Sequence, residues 1–471
     1  MKACRILSAA LLALPVALCA APNLFDDVNL KGLTDKANPV GYKVGEPIVF
    51  TLRTENLAEV PKEGRYRVHW KRTGDDGLVK EGESPLKIGE TCVVTTKMDR
   101  AGFVRLEARV VAGGGWWVQR SKPAPGCEDW YKEKSVFFDG GAGVAVDKIV
   151  QENPEPKDFD AYWKKQKAIL AKVPLTADRK EVGTVGGCKV YAVSVACAGP
   201  RPATGYLYVP EGAAKKSCGA RVAFQGYGTY RQAHPDWAAE SCRANREIFL
   251  EINAHGFELE REKGYYDAFF RSINTSGKGY VFNAKENASP DTCYFNGMAL
   301  RLIRAIEYVK SLPEWDGKSL IAEGGSQGGL QTSWAAGLGL GVTLARPSIT
   351  WGCDLGMPEG KSGRLHGPWH IPYGKGLDYF DAVNHIRRAK CPVEITRAGL
   401  GDYTCPPSGL ALYYNAIRGK KSISWVQGSE HGFIPPGENQ VAVLGNFKPT
   451  GGESKSQNAS SSVKWHDQVR D

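Results

Sequence analysis

The sequence predicts an α/β chain in two parts: a small β-sandwich over residues 21–148, then a larger domain over residues 149–445 built on a mostly parallel sheet. Three observations lead there. At 471 residues the chain is too long for one ordinary domain, so two are expected. From about Gly41 to Val146, short runs alternate apolar with polar residues and are punctuated by Gly, Asp and Asn, without helical periodicity. Beyond a proline-bearing stretch near Asp147 to Pro156, short apolar runs alternate with helical ones, as expected of strands buried on both faces with helices between them.

The opening segment, "MKACRILSAALLALPVALCAAP", carries Lys2 and Arg5, an apolar stretch and small residues at Cys19, Ala20 and Ala21; it reads as a secretory signal over residues 1–20. It is too short to span a bilayer, and no later window supplies a span. An exported protein, secreted or periplasmic, is therefore expected. Lipid attachment at Cys19 ranks second, because Leu18 is bulky where a small residue is wanted. Without Cys4 and Cys19, ten of the twelve cysteines remain, and the expectation is buried free thiols with one or two bridges. No Cys-x-x-Cys or Cys/His cluster occurs, so no metal site is expected.

The runs "EPIVFTLRTEN", "RYRVHWKRTGDDG", "ETCVVTTKMDRAGFVRLEARVV" and "SVFFDGGAGVAV" supply the sandwich strands. Trp116 and Trp117 follow three glycines, and "GCEDWYKEKSVFF" is similarly aromatic. These rings suit either a sugar-stacking platform or an inter-domain anchor, and the anchor is favoured. The link "AVDKIVQENPEPKDFDAYW" is short and stiffened by Pro154 and Pro156, which predicts fixed packing of the two parts. An amphipathic helix follows in "DAYWKKQKAILAKVP". Then come "RVAFQGYG", "EIFLEINAHG", the long helix "NGMALRLIRAIEYVKSL", "SLIAEGG", "GLQTSWAAGLG", "CPVEITRAGLG", "SGLALYYNAIRG" and "SISWVQGSEHG". Residues 446–471 are Gly/Ser/Lys-rich and expected to form a flexible tail. The formal charge of +10 comes from 61 basic and 51 acidic residues scattered among one another, so no basic stripe marks a nucleic-acid partner.

The sequence Gly324-Gly325-Ser326-Gln327-Gly328 fits Gly-x-Ser-x-Gly at a strand-to-helix turn, which makes Ser326 a candidate nucleophile. Small neighbours are needed on so tight a turn, and the helix start aims backbone N–H groups at the carbonyl under attack. The base should follow in the chain, at a strand's C-terminal end. Of His366, His370, His385 and His431, the last is best placed, after "SISWVQGS". His366 and His370 suit a pocket-shaping role and His385 a surface one. Asp402, after the strand of "CPVEITRAGLGD" and before two prolines, is the favoured acid over Asp354, Asp378 and Asp381. The backbone amides of Gln327 and Tyr227 are the candidate oxyanion donors.

The segments "GGSQGG", "GLGDYTCPPSGLALYYNAIRGKKSISWVQGSEHG", "FQGYG" and "CYFNGMALRLIRAIEYVKSLPEWDGKSL" together resemble the acetylxylan esterase and cephalosporin C deacetylase family. The resemblance runs from "EPKDFDAYW" to about Phe433. It implies an α/β-hydrolase fold that removes acetyl groups from sugars and related alcohols, with Ser326 as nucleophile, Asp402 as acid, His431 as base, and Tyr227 and Gln327 as the oxyanion hole. Two departures stand out. Asn253-Ala254-His255-Gly256 replaces the family's Asp-x-Arg-Gly-type segment, and the β-rich N-terminal part lies outside the single-domain form. The reading is an exported serine esterase acting on acetylated oligo- or polysaccharide, needing no cofactor. Whether it forms a homo-oligomer is open. The alternatives are a hydrolase of another ester or peptide bond, or a non-catalytic carbohydrate-binding protein; a complete Ser-Asp-His set argues against the last.

Overall fold

The computed structural model describes residues 23–60, 65–232, 236–355, 369–448 and 464–466. The expected signal segment, with Cys19, and most of the expected tail lie outside the described residues. Seven antiparallel strands come first: β1 (Asn29–Thr34), β2 (Ile48–Glu55), β3 (Arg67–Gly74), β4 (Lys80–Pro85), β5 (Cys92–Thr96), β6 (Gly102–Val111) and β7 (Phe137–Val144). They form two sheets, ordered β1-β2-β5 and β4-β3-β6-β7. The alternation read from the sequence has its cause here. Phe50, Leu52 and Val94 of one sheet and Val104, Leu106 and Val110 of the other share one buried apolar cluster, while the residues between them face outward.

The helix α1 (Phe159–Ala171) follows, burying Phe159, Tyr162, Trp163, Gln166 and Leu170 on one stripe. The strands β8 (Ala177–Val185), β9 (Cys188–Val195) and β10 (Ala203–Pro210) come next. The remaining elements are β11 (Cys218–Phe224), α2 (Asp236–Asn245), β12 (Glu247–Asn253), α3 (Lys263–Ile273), α4 (Ala284–Asn287), α5 (Tyr294–Ser311), β13 (Trp315–Gly325), α6 (Gln327–Gly337), β14 (Leu344–Ser348), α7 (Ala382–Ile386), β15 (Val393–Gly399), α8 (Pro407–Ala416), β16 (Lys421–Val426), β17 (Val441–Gly445) and β18 (Lys464–His466). All strands from β8 onward join one sheet, ordered β18-β17-β16-β15-β14-β13-β11-β12-β10-β9-β8. Its centre, from β12 through β16, is parallel, and the β8-β9-β10 side is antiparallel. The sequence reading does not single out that antiparallel side. β8 is exposed along nearly its whole length, so it has no apolar face to give a two-residue period.

The parallel strands are less uniformly apolar than expected. Glu394, Arg346, Glu323, Arg221 and Glu247 stand on β15, β14, β13, β11 and β12, which is their spatial order, so opposite charges alternate across five neighbouring strands. Arg221 lies 2.7 Å from Glu247 and 2.5 Å from Glu323, and Arg346 lies 3.3 Å from Glu394. Each of these buried or partly buried charges thus has an opposite neighbour, which offsets its desolvation. Among the described residues, no helix is long and apolar enough to cross a membrane. All ten cysteines from Cys92 to Cys405 are free thiols. The expected bridges are therefore not formed; Cys188 and Cys242 meet in one small apolar cluster as thiols.

The N-terminal sheets pack against the β15 to β17 end of the large sheet. Phe103 of β6 lies against Trp425 of β16, with ring centroids 5.4 Å apart. Gln427, 2% exposed, pairs with Gly141 of β7 as a strand would: its Oε1 accepts from the Gly141 N–H at 2.8 Å and its Nε2 donates to the Gly141 carbonyl at 2.9 Å. Gln440 makes a similar clasp on Thr34 and Lys36. Replacing Gln427 with Ala strands a buried N–H and a buried C=O. Thermal or urea denaturation of Gln427→Ala should show a loss of about 2–4 kcal/mol.

Candidate active site

β13 runs straight into Ser326, whose φ of 56° and ψ of −120° reverse the chain into α6. A non-glycine residue in that region is strained, by about 1–3 kcal/mol, and must be held by its surroundings. The hold is visible. The Ser326 N–H donates to the Ser348 carbonyl at 3.0 Å, and the Ser326 carbonyl accepts from Leu330 and Trp351. Gly324 and Gly328 are required by close approach: a Cβ at Gly324 would lie 2.7 Å from the Phe224 oxygen, and one at Gly328 only 2.2 Å from it. The turn is therefore pressed against the end of β11, and the hydroxyl stands at the sheet's C-terminal edge.

Asp402 and His431 reach the same edge from β15 and β16. Asp402 is fully buried; one carboxylate oxygen accepts from the Thr404 and Cys405 amides at 3.0 and 2.9 Å. Its other oxygen lies 2.9 Å from His431 Nδ1, and His431 Nε2 lies 3.1 Å from Ser326 Oγ. Because a carboxylate only accepts, Nδ1 carries the proton and Nε2 is left to accept from the hydroxyl. Ser326, His431 and Asp402 are thus in hydrogen-bond contact in the order a proton relay needs.

The two oxyanion candidates lie in the segments next to Ser326 and at the end of β11. Gln327 is the first residue of α6, so its N–H has no place in the helix ladder. The loop carrying Tyr227 is braced by residues that the sequence reading passes over. His255 Nε2 lies 2.8 Å from the Gly228 carbonyl and Nδ1 lies 2.8 Å from the Tyr294 hydroxyl. The imidazole therefore donates to the carbonyl and accepts from the phenol. The Tyr280 hydroxyl accepts from the Gly228 N–H at 3.3 Å and donates to Gln327 Oε1 at 2.8 Å, tying the two donor loops together. The Tyr227 ring stacks on Tyr280 with centroids 4.3 Å apart. The signal in the sequence was the departure at Asn253 to Gly256. Asn253 Oδ1 accepts from the His255 and Gly256 amides, and this tight turn aims the imidazole at Gly228.

The other candidates fall elsewhere. His385 is fully buried, contrary to the surface role expected of it: Nε2 donates to the Tyr379 carbonyl at 2.9 Å, and burial lowers its pKa to about 3. The helix-like pattern around it is α7, which packs against α6 rather than facing water. His370 is exposed, and His366 lies outside the described residues. Asp354, Asp378 and Asp381 are engaged by other groups. Asp381 caps α7, and Asp354 and Asp378 accept hydrogen bonds from the Glu152 to Asn153 stretch. Asp402, Cys405 and His431 bring three ligand-type atoms within 4.8 Å of one another. That set suits proton transfer better than a cation, because burial holds the Cys405 thiol well above its ordinary pKa and Asp402 is already fully engaged.

Comparison with known proteins bears on this arrangement. The profile of the family described as acetyl xylan esterase (AXE1) matches residues 145–355 and 374–444, more than half of the chain. The acetyl esterase Axe7A of Xylanibacter ruminicola is 29% identical over 301 residues, a match covering 61% of this chain and 66% of that protein. The chain therefore spans just under two thirds of that relative. The acetyl xylan esterase structure from Paenibacillus sp. R4 superposes with a TM-score of 0.50 at 24% identity, over 62% of this chain and 94% of that one, and shares the α/β-hydrolase fold.

Burial, ahead of the neighbouring Arg301 and Arg201 charges, lowers the His255 pKa from 6.5 to about 3. Between those values the unfolded chain takes up a proton at this imidazole that the folded protein refuses, so stability falls as pH drops through the window. His255→Gln does not titrate there and should flatten the acid side of the stability curve, read by urea denaturation between about pH 4 and pH 8. It should also lower kcat by about tenfold or more, with a smaller change in KM, because the Gly228 carbonyl loses the imidazole donor that braces its loop.

Proposed function

Since the chain belongs to the acetyl xylan esterase family, we propose that it is an exported serine esterase that removes acetyl groups from O-acetylated carbohydrate. The observation that carries this reading is the unbroken contact from Asp402 through His431 to Ser326, at 2.9 and 3.1 Å, beside the braced Tyr227 and Gln327 loops. In the mechanism His431 Nε2 takes the Ser326 proton as Oγ attacks the acetyl carbonyl. The carbonyl oxygen gains negative charge, which the Tyr227 and Gln327 amides receive as donors. The tetrahedral intermediate collapses, the C–O bond to the sugar breaks, and the imidazolium returns its proton to the departing alkoxide. Water, deprotonated by His431, then attacks the acetyl-enzyme; the bond from the acyl carbon to Ser326 Oγ breaks, the imidazolium returns the proton to Oγ, and acetate leaves. Asp402 holds the imidazole in the required tautomer and stabilises its charged form throughout.

Acetate release from acetylated xylan and acetylated xylose tests the reading. Ser326→Ala should lower kcat by about four to six orders of magnitude without unfolding the protein, and Asp402→Asn by about four. Substantial turnover by a folded Ser326→Ala protein would remove the serine mechanism. Acyl preference is a separate test: acetyl esters should be cleaved at least about tenfold faster than octanoyl esters of the same alcohol, and the reverse order would leave an esterase of a different substrate class.

A further inference from the structure

The loop that holds His431 is joined to the N-terminal part of the chain by backbone. The Glu128 N–H donates to the Gly432 carbonyl at 2.8 Å, the Ile434 N–H donates to the Gly126 carbonyl at 3.1 Å, and Cys127 and Phe433 pair antiparallel between them. This brings Trp130 onto His431, with ring centroids 6.1 Å apart and planes at 67°. Residue 432 has to be glycine for this packing: a Cβ there would lie 2.7 Å from the Trp130 ring and 2.6 Å from Tyr131 Cβ.

Trp130 is nevertheless 58% exposed. An indole left in water beside a catalytic imidazole gains little as a core residue, yet this one is held in place. Its Nε1 donates to Glu128 Oε2 at 2.6 Å; Glu128 lies 3.6 Å from Arg397, and Arg397 donates to the His431 carbonyl at 3.2 Å. Tyr131, next in the chain, packs edge-on against the indole and hydrogen-bonds Glu430. The indole N–H is therefore occupied, and what Trp130 offers a ligand is its apolar face. The leaving alcohol must lie within reach of His431 Nε2 to be protonated, so the alcohol part of the substrate passes the same imidazole that Trp130 flanks.

We infer that Trp130, supplied by the N-terminal part of the chain, is the platform on which the sugar ring bearing the acetyl group stacks during catalysis. The C–H face of a pyranose matches an indole face, and a ring already fixed by Glu128 loses little conformational freedom on binding. The expectation that the aromatic residues serve as anchors thus divides. Phe137, buried and 4.9 Å from Phe433, is an anchor, while Trp130 is a binding surface. Trp116 and Trp117 are exposed, and Trp117 lies under the Arg109 guanidinium.

The inference rests on the deacetylase reading, and the test separates the two. Initial rates are measured on tetra-O-acetylxylopyranose and on ethyl acetate, which has the same acyl group and no ring, for the wild-type protein, Trp130→Ala and Trp130→Phe. In Trp130→Ala the ratio of kcat/KM for the sugar ester to that for ethyl acetate should fall by about tenfold or more, through KM, and Trp130→Phe should recover part of it. An equal loss on both esters would overturn the platform and make Trp130 a support for His431. No loss on either would overturn it as well. A wild-type protein that cleaves ethyl acetate but not the sugar ester would instead defeat the deacetylase reading, before any variant is compared.

Discussion

The placement of the His431 loop constrains much of the molecule. Residues 428–434 follow a strand near the edge of the large sheet and carry no regular structure of their own, yet His431 must meet Asp402 and Ser326 within a few tenths of an ångström. The loop is fixed from two directions. On the sheet side, Asp402 takes the imidazole and the Gly401 N–H donates to the Ser429 carbonyl at 3.0 Å. On the other side, residues 126–128 pair with 432–434 as a short strand would, and Gln427 grips β7. The N-terminal sheets are in this sense part of the scaffold of the site, which gives the short, proline-stiffened link between the two parts a physical purpose.

Ser326 and the loop of Tyr227 show the same economy with different means. The backbone strain at Ser326 is contained by two glycines that let α6 approach β11, and by hydrogen bonds from β14 and Trp351. The Tyr227 loop has no regular structure and is braced instead by a network of buried His255 and Tyr280 with the partly buried Tyr294, in surroundings where such bonds are strong. The charge ladder from Glu394 to Glu247 lies across the strands that end at the site. Shifting one of those strands by a residue would turn its charge to the opposite face, so the ladder helps to fix the register that brings the three loops together.

The elements that were legible in the sequence are those whose chemistry is local. The strand-to-helix turn at Ser326 announces itself because glycines must flank it, and Asp402 and His431 because each follows a short strand-like run that ends in a loop. The sandwich is legible because its strands bury alternate residues. The antiparallel β8 was not, since an exposed strand carries no period. His385 misled because its buried face is made by helices distant in sequence, and the polar residues around it imitate a surface. His255 was visible only as a departure from a family pattern; its partners Gly228, Tyr280 and Tyr294 come from three separate segments, and no spacing along the chain could have united them. Trp130 likewise was one of several aromatics until the backbone pairing placed it.

The glycine at 432 has an evolutionary consequence. A side chain at that position can be accepted only after Trp130 and Tyr131 have been displaced, whereas Trp130 can be lost while glycine remains. Change is thus permitted in one order and blocked in the other. Recombination between lineages meets the same obstacle: a hydrolase half carrying a larger residue after its histidine cannot inherit this N-terminal half, and the segments 126–131 and 428–434 must travel together for the chimera to assemble a working centre.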